Sequence, residues 1–356
     1  MLRTCLLALT LLCSAQGAID LRLPTQNHHL LSGEPERFYM YVDRIFEGAA
    51  TKPWEGGTFG MVRNPLRLGS EVIYTKFHEG IDISPVARDH TGNPLDLVSS
   101  IAEGRVVHTS QIAGRSNYGK YVVVEHLWEN SSVFSLYAHL AEITCSPGDA
   151  VPAGTVIGRM GYTGAGLNQT RAHLHLELAM MLSQHYEAWH QNAGRGTNYQ
   201  GLFNGMNLIG THAASFFLEH KANPELTFSA WIAATPVHFK VSVPSKGTPD
   251  FVTRYPWICQ GDAQTAVSWD ISFSATGLPV AFVASPKQVD APTLTSIRPL
   301  AIPQRYLTHN LVTGQDHFAS LTPSGKHLVA LLTDDVPLAT TTSTTTTKRP
   351  APTPKS

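Results

Sequence analysis

Between residues 78 and 177 apolar and polar side chains alternate in short runs, and Gly, Pro, Asn or Asp breaks each run. The runs at 104–108, 120–125, 133–138, 155–160 and 172–178 read as strands, because period-two alternation sends successive side chains to opposite faces of a sheet. Short spacers rich in turn residues join them, which predicts a mainly β, antiparallel sandwich or open barrel. Beyond this stretch the period changes. Leu182, Tyr186 and Trp189 recur at helical spacing and predict a helix from Met181 to about Gln191, and a second helix is expected over 208–221. Strand-like alternation returns at 237–243 and 267–273, so residues 192–337 read as a smaller mixed α/β accessory region. Trp231, Phe239, Tyr255, Trp257, Trp269 and Phe273 offer that region a core. Upstream, residues 38–42 read as a strand and residues 54–57 as a turn.

Composition adds an address and removes some function classes. Arg3, an apolar run at 6–12 and the small residues around Ala15-Gln16-Gly17 form the pattern of a secretory signal peptide, with cleavage expected after Gly17 or Ala18. The run is too short to cross a bilayer, and Cys13 lacks the small preceding residue that lipid attachment requires. A formal charge of −1, a charged fraction of 15% and no basic patch give no footing for nucleic acid. Of the four cysteines, Cys145 and Cys259 would outlast signal removal. Export permits a bond between them, but two isolated cysteines make neither a disulfide framework nor a zinc knuckle. Residues 338–356, mostly Thr, Pro, Lys and Ser, hold no core former and are expected to be disordered.

The chemistry is concentrated in three segments: His78-Glu79-Gly80-Ile81-Asp82, Tyr137-Ala138-His139-Leu140 and His173-Leu174-His175-Leu176-Glu177. His173 and His175 are two apart and would project from the same face of one strand. His78 and Asp82 flank Gly80, so a loop can turn both toward one point. Two imidazoles and one carboxylate leave a fourth position for water, the layout of a catalytic rather than a structural zinc site. In a chain with 17 histidines, one H-x-H or one H-x-x-x-D is by itself usually a solvated strand face. Their ordered occurrence together outweighs that reading. His108, His126, His185 and His190 fall outside the pattern and read as packing or surface residues. Glu177 lies on the same strand face as His175, where it could orient a ligand or simply face solvent.

The order H-x-x-x-D, then Y-A-H-L, then H-x-H resembles the zinc metallopeptidases of the lysostaphin type, also called the LytM or M23 family. The likeness extends to 116–126, to the hairpin Pro147-Gly148-Asp149-Ala150-Val151 with Gly154-Thr155-Val156-Ile157-Gly158, and to Gly161-Tyr162-Thr163-Gly164. It covers roughly residues 70–182. One departure is Asn168-Gln169-Thr170-Arg171-Ala172, which stands where the family usually runs through Gly-Pro into H-x-H and bears on substrate preference, not on metal ligands. A lipoyl- or biotinyl-carrier reading of the hairpin fails because its turn offers no modifiable lysine.

The resemblance implies that His78, Asp82 and His175 hold Zn2+ and that His139 and His173 are the two catalytic histidines. It also implies a secreted zinc metalloendopeptidase, periplasmic or extracellular, that cleaves peptidoglycan peptides, with stem cross-links favoured. The chain would then comprise a signal peptide (1–17), a lead-in (18–70), an M23-like peptidase domain (71–191), the accessory region (192–337) and the tail (338–356). Two alternatives stay open: a non-catalytic LytM-type module that activates another wall hydrolase, and a latent peptidase whose zinc is covered until processing.

Overall fold

The structure, a computed structural model, describes residues 18–48, 51–193 and 195–335. The expected signal peptide and Thr/Pro-rich tail lie outside the described residues. The chain is mainly β. After a single helical turn, α1 (Pro35–Phe38), come β1 (Gly60–Leu68), β2 (Glu71–His78), β3 (Ile81–Ile83), β4 (Leu97–Ser99), β5 (Gly104–Ser110), β6 (Tyr121–Trp128), β7 (Ser131–Ala138), β8 (Glu142–Ile143), β9 (Ala150–Val151), β10 (Val156–Arg159) and β11 (Leu174–Met181). Helix α2 (Tyr186–Asn192), β12 (Leu208–Gly210), α3 (Ala213–Ala222), α4 (Phe228–Ala233), β13 (Phe239–Pro244), α5 (Asp250–Arg254), β14 (Cys259–Gln260), β15 (Ser268–Phe273), β16 (Pro279–Ser285), β17 (Thr293–Ile297) and α6 (Pro323–Leu332) follow.

The central sheet runs β12-β11-β7-β6-β5-β9, and every pairing in it is antiparallel. Strand β3 pairs with Leu174–Leu176 of β11, beside the segment Ala179–Met181 that β12 pairs. All eight residues of β11 are buried, so both faces of the sheet are covered. Tyr121, Val123, Leu136, Ala138 and Met181 pack on one face, whereas Val122, Val124, Tyr137, Leu176 and Leu178 face the larger core on the other. That larger core continues through Phe216, Trp231, Phe239, Tyr255 and Trp269 to Leu332. A second sheet, β14-β16-β15-β13-β17, is antiparallel except for β14 and β16.

Several local expectations need correction. The expected helix from Met181 begins only at Tyr186, because Met181 continues β11 and pairs with Leu208. By the same pairing Leu208–Gly210 is a strand, and the second helix starts at Ala213, where the His212 side chain accepts from the Ser215 N–H. The expected strand at 38–42 reduces to one bridge between Tyr39 and Ile83, since Pro35–Phe38 makes a helical turn. The β1–β2 hairpin was not foreseen, although Gly69 at φ +58° between β-branched and aromatic residues is its signal. Cys145 and Cys259 are both free thiols.

Candidate metal centre

His78 closes β2, Asp82 is the middle residue of β3, and His175 is the second residue of β11. Strand pairing sets Asp82 directly opposite His175. Gly80 makes this approach possible. A Cβ there would meet the Leu176 carbonyl oxygen at 2.5 Å and His175 Nε2 at 2.9 Å, so any other residue would push the His78–Asp82 loop away from the ring.

The donors converge. Nε2 of His78 lies 3.1 Å from Nδ1 of His175 and 3.1 Å from Oδ1 of Asp82, and His175 Nδ1 lies 3.0 Å from the same oxygen. Tetrahedral ligands on arms of about 2.05 Å stand about 3.3 Å apart, so this triangle fits zinc with one apex free. Each donor atom is selected by the bond on its opposite side. His78 donates Nδ1–H to the Thr58 carbonyl at 2.8 Å, which leaves Nε2 free to coordinate. His175 sets Nε2 3.0 Å from Oε1 of Glu177, which leaves Nδ1 facing Asp82.

Glu177 is fully buried, and the hydroxyl of Tyr118 donates to its Oε1 at 2.6 Å. The solvent-facing alternative for Glu177 therefore fails, and its Oε1 faces the His175 ring instead. Burial alone would lower the His175 pKa, yet Asp82 and Glu177 push it up to about 10. Burial would raise the Asp82 pKa, but the His173 and His78 imidazoles hold it well below the usual carboxylate range. Burial also lowers the pKa of His78, against the opposing pull of Asp82. The field that retains positive charge on His175 would also favour a cation among the three donors.

His139 and His173 stand beside this triangle. Their ring centroids are 4.8 Å apart, and that of His139 is 5.7 Å from that of His175. His139 adopts the left-handed region at φ +63° where β7 ends, a conformation uncommon for a residue with a side chain. Its N–H bonds the Tyr118 carbonyl at 2.9 Å, and its Nδ1–H donates to the Thr163 carbonyl at 2.9 Å. Nε2 is then the free basic nitrogen. His173 donates Nδ1–H to the Arg171 carbonyl at 2.7 Å and places Nε2 3.3 Å from Asp82 Oδ1. Burial, then the neighbouring His173 and His175, drives the His139 pKa well below the ordinary value for an imidazole.

The other histidines remain apart from the site. His126 is buried between the Glu103 carbonyl and the Ser135 hydroxyl, His108 packs against Tyr121, and His185 pairs with Asp334. His190 is buried against Tyr186. Sequence reasoning overlooked Arg63, whose guanidinium pairs with Asp82, because the hairpin that carries it was not read as strands.

Residues 76–187 match a family model described as peptidase family M23. No curated protein matches the chain. Among solved structures, the catalytic domain of the antimicrobial peptidase lysostaphin from Staphylococcus simulans is 21% identical, with a TM-score of 0.28 and coverage of 46% of this chain and 89% of that one. A zinc-containing peptidase from Vibrio cholerae is 26% identical, with a TM-score of 0.25 and coverage of 40% of this chain and 36% of that one. The catalytic domain of a point mutant of the prophage-encoded M23 protein EnpA from Enterococcus faecalis is 27% identical, with a TM-score of 0.23 and coverage of 33% of this chain and 75% of that one. Residues 76–187, the segment similar to peptidase family M23, hold the three converging donors and both neighbouring histidines.

Proposed function

We propose that this protein is an exported zinc metalloendopeptidase that hydrolyses peptides of bacterial peptidoglycan, stem cross-links in preference to other bridges. The observation that carries the reading is the convergence of His78 Nε2, Asp82 Oδ1 and His175 Nδ1 within 3.1 Å of one another, beside two histidines outside the triangle.

His78, Asp82 and His175 would hold the zinc. When bound, zinc acidifies a coordinated water and polarises a carbonyl. The remaining work falls to the chain's own groups. With Nδ1–H committed to the Thr163 carbonyl, His139 can take a proton at Nε2 and return it to the leaving amine. His173, with Nδ1–H committed to Arg171, can act at Nε2 in the same way or, once protonated, donate to the developing oxyanion.

Residues beyond 191 approach the same site. A Cβ on Gly205 would lie 2.4 Å from the Tyr118 hydroxyl, and one on Gly210 would lie 2.0 Å from the Glu79 carbonyl oxygen. This segment would therefore form one rim of the cleft and restrict which peptides enter. The non-catalytic reading is weaker, because all five functional positions carry side chains able to act.

Digestion of purified peptidoglycan by the full chain, followed by mass analysis of the released fragments, tests the proposal. Fragments ending at hydrolysed stem cross-links, absent when a chelator is added, are expected. No release under zinc-replete conditions would refute the enzymatic reading.

A further inference from the structure

We propose that Arg63 is a positioning residue for the metal centre: it occupies one oxygen of Asp82 and leaves only the other to face the cation. This inference rests on the proposed metal site. The Arg63 guanidinium pairs through Nη2 with Asp82 Oδ2, while Oδ1 faces His78, His173 and His175. The carboxylate is thus divided between two kinds of partner. A carboxylate with both oxygens free can chelate a cation through both, which crowds a tetrahedral shell. With Oδ2 engaged by an N–H donor, Asp82 offers one donor in one direction.

Local structure aims this arginine. Strand β1 bulges at Val62: Met61 pairs with Phe77, yet Arg63 pairs with Lys76. A bulge inserts one residue into the alternation and re-aims the side chain that follows it. The guanidinium is then held at a second point, because Nε donates to the Gly56 carbonyl at 2.8 Å. Gly56 and Gly57 are themselves pressed into place. A Cβ on Gly57 would lie 2.5 Å from the Met40 carbonyl oxygen, and the Met40 N–H bonds the Asp82 carbonyl at 2.8 Å. Arg63 therefore bridges a fixed backbone point and a nearly buried carboxylate, with side-chain exposures of 22% and 3%. The β1–β2 hairpin supplies His78 at its end and constrains Asp82 from its bulge, so one element governs two of the three donors.

Zinc affinity of the full chain, measured by chelator competition, tests this, together with the visible spectrum of the Co2+-loaded protein. Arg63→Met is expected to weaken zinc binding about 10–100-fold, the scale for outer partners of metal ligands. Its cobalt band should lose intensity as Asp82 turns bidentate and coordination number rises. Arg67→Met is the control, since Arg67 pairs with Glu47 on the exposed part of the same hairpin. In an Asp82→Asn background, the Arg63→Met effect should vanish. A loss below about fivefold with an unchanged cobalt band, or an equal loss in the Asp82→Asn background, overturns the inference. If Arg63→Met does not fold, Arg63→Lys carries the test. A single ammonium does not reproduce the planar fork that spans Gly56 and Asp82, so the same weakening is expected and wild-type affinity overturns it. Failure of the wild-type chain to bind zinc would instead defeat the metal centre itself.

Discussion

Nε2 of His175 lies 3.0 Å from Oε1 of Glu177, so the ring that faces Asp82 through one nitrogen is held through the other by a carboxylate with no solvent exposure. The Tyr118 hydroxyl fixes the same oxygen, while Glu177 Oε2 has no hydrogen-bond partner among the described residues. Burial raises the Glu177 pKa, and His175 opposes that rise. Replacing Glu177 by Ala frees the His175 ring to rotate. Zinc affinity should fall about 10–100-fold when measured by competition with a chromogenic chelator. An unchanged dissociation constant would mean that the Nε2 contact does not orient the ligand.

Ligation and proton transfer should separate by residue. His175→Ala is expected to abolish stoichiometric zinc, because two remaining donors cannot complete the shell. His139→Ala and His173→Ala should keep the metal and lose about 10²–10⁴-fold in turnover. Elemental analysis alongside peptidoglycan release distinguishes the two groups. Zinc loss from the His139 variant as complete as that from His175→Ala would reassign His139 as a ligand.

Tyr255 connects residues beyond 191 to the central sheet. Its hydroxyl donates to the Ser132 carbonyl at 2.8 Å and accepts from the Met181 N–H at 2.8 Å. Tyr255→Phe removes both partners at once and should cost about 1–3 kcal/mol, the penalty for buried backbone groups left unpaired. Removing everything after Gln191 also deletes β12 and exposes the edge of β11 at Ala179–Met181. That shortened chain should be insoluble or lack a cooperative melt. Wild-type stability of Tyr255→Phe in urea would show that the contact is dispensable.

Acid stability should report on His126. Burial lowers its pKa to about 4, opposed by its bond to the Glu103 carbonyl. The unfolded imidazole titrates near its ordinary value of about 6.5. Between these limits the unfolded chain binds a proton that the folded chain refuses. The stabilising difference is therefore fully present above about pH 6.5 and is lost as pH falls toward about 4, by roughly 3 kcal/mol. Urea midpoints of the chelator-treated protein at pH 7 and pH 4.5 should differ more in wild type than in His126→Gln. Equal differences would place the acid sensitivity elsewhere.

Much of the site was legible in the sequence. Strand periodicity put His173 and His175 on a face of one strand, and the order of the three histidine segments marked the residues that meet. Strands β5, β6, β7, β10 and most of β11 were also readable, because alternation with turn residues between is a local signal. The misjudged elements were those whose conformation depends on a distant partner. Leu208–Gly210 has an apolar pattern compatible with a helix, and only the free edge of β11 makes it a strand. Phe38 and Tyr39 look extended, yet Pro35 starts a helical turn there and Ile83 takes the single bridge.

By itself the sequence determined the donor types, their order and the strand that carries His175, since these depend on side-chain chemistry and the period of two. Tertiary structure alone decided which nitrogen of each imidazole faces the site. The carbonyl of Thr58 turns Nε2 of His78 inward, and Glu177, whose Oε1 is fixed by the distant Tyr118 hydroxyl, turns Nδ1 of His175 inward. It also decided that Arg63 meets Asp82, because a bulge at Val62 and a backbone carbonyl at Gly56 aim a side chain whose own spacing predicts nothing. Long-range hydrogen bonds choose among rotamers and tautomers that the local sequence leaves equal in energy.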